Sequence, residues 1–167
     1  IMREEEYLAH DVYLTLSTLY TKPIFRNIAR SEQRHSDAVK KLITKYGLPD
    51  PAANHVTGVF VNQDLQTLYN SLISLGSTSL INGLIVGATI EDLDIKDLEE
   101  HMATVDNQDI TCVFNNLMRG SRNHLRSFYA NIQFSGGTYT PQYISQEEFD
   151  AIVSTPHETG SGGCNCN

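Results

Sequence analysis

Glu32 and His35 stand three residues apart in Ser31-Glu32-Gln33-Arg34-His35. On a helix this spacing projects both side chains from one face, so a carboxylate and an imidazole can grip the same metal ion. A lone Glu-x-x-His arises by chance in many helices. Its weight here comes from Glu6, Glu91, Asp94 and His124, which also fall inside apolar helical stripes. Stepping by three and four residues gives Met2, Glu6, Ala9, Tyr13, Leu16, Tyr20 and then Ile28, Glu32, His35, Val39, Leu42, Tyr46. Two later stripes read Leu80, Leu84, Gly87, Glu91, Asp94, Leu98 and Ile110, Phe114, Leu117, Ser121, His124, Phe128. Buried carboxylates are costly unless paired or bound to metal, and these stripes hold no Lys or Arg to pair with. A metal ion, or a pair of them, would supply the missing positive charge. A core network of paired Glu and His is the competing reading.

The four stripes need four long helices. The pattern predicts the first from Met2 to about Tyr20 and the second from Pro23, well suited to a first helical turn, to Tyr46 before Gly47. A loop follows over 48–62. Asn62 is placed to cap a short helix from Gln63 to Leu75, and Ser77 or Thr78 to cap a long helix reaching about Val105. Asp106-Asn107 breaks the chain before a fourth long helix that ends near Phe134, ahead of Ser135-Gly136-Gly137. Ser145 and Glu148 have the spacing of a capping box for a last short helix. The fold class expected is therefore all-α: a four-helix bundle over residues 1–153, with a long crossover between the second and third long helices and two short accessory helices. A Gly/Ser-rich tail, 154–167, is expected to be mobile.

Depth supports one site. Glu6 and Glu32 have their midpoint at residue 19, near the first interhelical turn, and Glu91 and His124 have theirs at Asp106-Asn107. In two antiparallel hairpins each pair then lies at a similar distance from its turn.

Composition excludes other classes. The formal charge of -8 repels nucleic acid, and no Lys/Arg cluster offsets it. No apolar run approaches the roughly 18 residues a membrane-spanning helix needs. The cysteines are Cys112, Cys164 and Cys166, without a CxxC pair, so neither a disulfide scaffold nor a zinc-finger spacing is present. Cys112 reads as a small buried residue, and Cys164-Asn165-Cys166 as a tail element able to bind a soft metal or form an intermolecular disulfide. The chain opens at Ile1 inside a helix without a capping residue, which suggests a segment upstream. The compartment stays open, with export or the cell surface slightly favoured over the cytoplasm. His10, Glu4, Glu5, Glu99, Glu100 and His101 read as surface residues, Tyr13 as core, and Arg122 and Arg126 as ion-pairing residues on the surface or between helices.

At the stripe residues the chain resembles the ferritin-like superfamily, which includes rubrerythrins and ferritins. Glu6-Tyr7-Leu8-Ala9-His10-Asp11-Val12-Tyr13 is similar to the first-helix segment of rubrerythrins, and Ser31–His35 to their second-helix Glu-x-x-His. More closely, the chain resembles an uncharacterised prokaryotic ferritin-like family, the domain of unknown function 2202. That resemblance rests on Met2–Glu6, Ile28–His35, Val86–Glu91, Gly120–Arg126 and Pro141-Gln142-Tyr143, and covers residues 2 to about 153. It implies a di-iron carboxylate centre held by Glu6, Glu32, His35, Glu91, Asp94 and His124. One departure matters: Ser121 stands where the full di-iron pattern has a Glu on the fourth helix, and Asp94 is the residue able to replace it. Without Asp94 a single ion suffices, and manganese suits the same ligands. The implied activity is ferroxidase-like or peroxidase-like oxidoreductase chemistry with an external electron donor, because no four-cysteine rubredoxin-like module is present. A homo-oligomer is expected. The alternative is a structural or assembly subunit in which the metal is a stabilising staple.

Overall fold

The computed structural model describes residues 2–160. It is all-helical: α1 (Met2–Leu19), α2 (Pro23–Lys45), α3 (Gln63–Gly76), α4 (Leu80–Met102), α5 (Gln108–Phe134) and α6 (Gln146–Val153). Among the described residues β structure is limited to one isolated bridge between Val56 and Val59. No helix is long and apolar enough to cross a membrane. The chain divides into two compact units, with the boundary between Val86 and Gly87 inside α4.

Local chemistry sets the helix ends. α2 begins with Pro23 in its first turn. It stops where Gly47 takes φ +61°. There the Leu48 N–H donates to the Ile43 carbonyl at 3.0 Å and the Gly47 N–H to Thr44 at 3.2 Å, a Schellman closure. α5 ends the same way, with Gly136 at φ +77°. Its carbonyls at Ile132 and Gln133 accept from Gly137 and Gly136. Asn62 caps α3 through Oδ1, which accepts from Asp64 at 2.9 Å and Leu65 at 3.4 Å. Ser145 caps α6 by accepting the Glu148 N–H at 3.1 Å. The α4 start departs from expectation. Ser77 caps the C-terminal end of α3 instead, and it is Ser79 whose Oγ accepts the Asn82 N–H at 3.2 Å. α4 also stops at Met102, short of Val105, in a turn where Thr104 bonds back to the His101 carbonyl.

In the first unit α1 and α2 fold back on each other across Tyr20-Thr21-Lys22, and α3 packs on α1. Leu8, Ala9, Val12, Tyr13, Leu16, Phe25, Ile28 and Val39 form the apolar interior. The loop between α2 and α3 is pinned to α1 by charged side chains. Asp11, fully buried, accepts the Gly58 N–H at 2.7 Å and the His55 Nε2–H at 2.8 Å. Glu4 accepts the Val61 N–H at 3.1 Å, and Arg3 forms an ion pair with Asp50. Tyr7 stacks on His55 with ring centroids 4.0 Å apart. Glu4 is therefore buried, not the solvent-facing residue the sequence suggested, because the loop turns back over α1 and presents backbone donors to it.

In the second unit α4 and α5 run antiparallel. Three contacts fix the register: Gly87 with Phe128, Glu91 with His124 and His101 with Phe114. All three share a midpoint between residues 107 and 108, at the Asn107 cap of α5. A Cβ on Gly87 would sit 2.3 Å from a Phe128 ring carbon, so glycine is what permits the close approach. His101 is not on a solvated face: its Nδ1–H donates to the Asp97 carbonyl and its ring meets Phe114 edge-on. α6 packs on α5.

Candidate metal centre

Glu6 on α1 and Glu32 on α2 are buried, at 3 % and 0 % exposure, and His35 reaches in beside them with its side chain 12 % exposed. The Nδ1 of His35 lies 2.8 Å from Glu32 Oε2 and 3.3 Å from Glu6 Oε2. Each of the three residues offers one ligand atom, and those atoms lie within 4.8 Å of one another. Two hard carboxylates and one imidazole, concentrated in an apolar interior, are a donor set for iron or manganese.

The electrostatics fit a site built for a cation. Burial pushes the Glu6 carboxyl up, the His35 imidazole pulls it down, and the Glu32 carboxylate pushes it up again, to about 7. Burial alone would lower His35, but the carboxylates of Glu32 and Glu6 outweigh it and hold the imidazole well above its ordinary value. Both shifts favour bound protons, which offset the negative charge that two buried carboxylates place in this interior.

In the second unit Glu91 on α4 is fully buried, and His124 on α5 is 9 % exposed. The His124 Nδ1 lies 3.3 Å from Glu91 Oε2. Asp94 is buried one turn after Glu91. Among the described residues, however, Glu91, Asp94 and His124 do not together bring ligand atoms within 4.8 Å of one another. Ser121 is buried on α5 and spends its hydroxyl on the Leu117 carbonyl at 3.3 Å. Within the first unit the structure brings together Glu6, Glu32 and His35, and within the second Glu91 and His124.

Other residues take roles the sequence did not announce. His10 is no surface residue: its Nδ1–H donates to Asp11 Oδ1 at 2.8 Å, with its side chain 18 % exposed. Asp92, beside Glu91, is fully buried and accepts from the Tyr139 hydroxyl at 2.8 Å and from the N–H groups of Gln142, Tyr143 and Ile144. Burial, with the negative charge of Asp92, keeps the Tyr139 hydroxyl protonated well beyond its usual range. Asp11 and Asp92 lie off the inward stripes, and their partners are loop amides distant in sequence, so no periodicity marks them. Tyr13 is fully buried, as core packing suggested. Cys112 is buried and disulfide-bonded, which an odd cysteine count did not foretell. Cys164 and Cys166 lie outside the described residues. In the described part of the tail Glu158 is clamped by Arg122 and Arg126 at 2.6 Å and 3.0 Å.

Comparison with known proteins gives a family without an assigned activity. The chain is 54% identical over 159 residues to the uncharacterized protein MJ0754 of Methanocaldococcus jannaschii, a match covering 95% of this chain and 86% of that protein. The crystal structure of hypothetical protein MJ0754 from Methanococcus jannaschii superposes with a TM-score of 0.92, covering 94% of this chain and 90% of that one. Residues 1–156 match the family described as an uncharacterized protein domain, DUF2202, and the chain belongs to that family.

Proposed function

We propose that the protein is a ferritin-like four-helix bundle that binds iron, two ions per chain, through Glu6, Glu32, His35, Glu91, Asp94 and His124. The observation that carries this reading is the Glu6–Glu32–His35 cluster, three ligand atoms within 4.8 Å of one another in a buried interior. The Glu91–His124 contact at 3.3 Å supports a second set of ligands. Asp94 is its weakest member, and a single ion is the variant of the proposal that Ser121 favours; manganese suits the same ligands. Bound iron would supply electron exchange with dioxygen or hydrogen peroxide, with electrons from an external donor. The chain's own part is to hold the ligands at fixed depth, to keep the pocket largely dry and to give up the protons of Glu6 and His35 as the ion binds.

The exposed apolar side chains Val56, Val59 and Val61 favour association of copies through the loop between α2 and α3. The test is turnover. Protein loaded with Fe(II) should oxidise it, or consume peroxide, faster than the same iron in buffer, and Glu32→Ala should abolish the gain. A rise in melting temperature on metal addition without turnover would replace the redox reading with a structural staple.

A further inference from the structure

Arg122 and Arg126 flank His124 in Gly120–Arg126, yet neither belongs to the candidate metal centre. With Arg119 they lie at helical spacings of three and four on one face of α5. All three guanidinium groups line a cavity of about 720 Å³ whose far wall is the segment from α6 to Thr159.

An anion already sits in it. The Glu158 carboxylate accepts two hydrogen bonds from Arg122, Nε at 2.7 Å and Nη2 at 2.6 Å, and a third from Arg126 at 3.0 Å. This is the bidentate fork that guanidinium groups offer to carboxylates and phosphates alike. Arg126 is held in place by the Ile152 carbonyl, Asn123 and Thr155. Its exposure is only 8 %. Arg119 differs: among the described residues no acidic side chain pairs with it, and a Cβ on Gly160 would meet its guanidinium at 2.8 Å. The acidic groups nearby are Glu158, Glu148 and Glu99. Of these, Glu148 and Glu158 line the cavity, so three arginines face two carboxylates and the wall keeps an excess of positive charge in a chain whose formal charge is -8.

We propose that the Arg119–Arg122–Arg126 cavity is a binding site for a small oxyanion, a phosphate or carboxylate group, and that Glu158 is the chain's own competitor for it. The incoming anion pairs with Arg119 and shares the Arg122 fork, and Glu158 withdraws with its strand of tail. No covalent step is involved. The inference is independent of the metal reading, since none of its residues is a proposed ligand.

The test is calorimetric titration of the full chain with inorganic phosphate and, separately, with succinate at low ionic strength. At least one should bind. Arg119→Ala should weaken binding about tenfold, and Glu158→Gln should tighten it about tenfold by removing the competitor. Binding of phosphate alone assigns a tetrahedral oxyanion, and binding of succinate alone a carboxylate. Among the described residues Arg119→Ala breaks no ion pair, so it keeps the test valid if Glu158→Gln unfolds. Absence of binding to the wild type and to Arg119→Ala alike, or equal binding by both, would overturn the proposal and leave Glu158 as a simple tether.

Discussion

Asp92 Oδ1 accepts the backbone N–H of Ile144 at 2.8 Å, while Oδ2 of the same carboxylate takes the Tyr139 hydroxyl and the Gln142 and Tyr143 N–H groups. One fully buried side chain thus organises the 139–144 segment against α4, next to the proposed ligand Glu91. Asp92→Ala strands several buried donors at once, each costing about 1–3 kcal/mol. The expected loss is about 3 kcal/mol or more in urea unfolding. A loss under about 1 kcal/mol would mean that water replaces the carboxylate without penalty.

Gly87 faces the Phe128 ring, with no room for a Cβ. Gly87→Ala gains roughly 1 kcal/mol of helix propensity but must displace a fully buried aromatic, and overpacking of this kind costs about 1–3 kcal/mol. The net expectation is destabilisation, read as a lower urea midpoint with an unchanged slope. A more stable variant would show that α4 and α5 can part at little cost.

The Arg122 fork, opposed only by partial burial and reinforced by Arg126, holds the Glu158 carboxyl down at about 2. A depressed acid contributes stability above its unfolded value, near 4.5, and loses it as pH falls toward 2. Wild type should exceed Glu158→Gln by about 1–2 kcal/mol near pH 6, after allowing for solvent screening of a partly exposed pair, and the two should converge near pH 2. Parallel curves across that range would remove the ion pair from the stability of the tail.

Glu148 behaves in the opposite sense. Burial first, then the neighbouring Glu99, raise its carboxyl to about 7. A raised acid contributes stability below its unfolded value and loses it as pH climbs from about 4.5 through 7. Glu148→Gln, which keeps the shape of the residue in the α6 cap, should therefore be more stable than wild type at pH 8 and no better at pH 4. Thermal melts at the two pH values decide it.

The elements were legible because their signals are local. Pro23 at a helix start, Gly47 and Gly136 past helix ends, and the Asn62 and Ser145 caps each act within a few residues, and the all-helical order follows from them. The α4 start was misassigned because Ser77, Thr78 and Ser79 all have capping chemistry, and only the geometry at the end of α3 selects Ser79. The Glu91–His124 pair was readable from the midpoint of its hairpin, since antiparallel helices joined by a short turn have a fixed register. Asp11, Asp92 and Glu158 were not readable. Their partners lie 36 to 52 residues away, and an acid bound to remote amides or arginines looks in sequence like an acid in solvent.

The central claim is that Glu32 and its neighbours hold metal, and metal content by mass spectrometry tests it most directly. The protein should be purified without chelator from iron-supplemented cells, as wild type and as Glu32→Ala, with folding checked by circular dichroism. The account predicts about two irons per wild-type chain, lost in the variant. One ion per chain would point to Ser121 as a real loss of the second site. No metal in a folded wild type, with stability unchanged when iron or manganese is added, would contradict the account and leave a helical protein with a protonated Glu–His core.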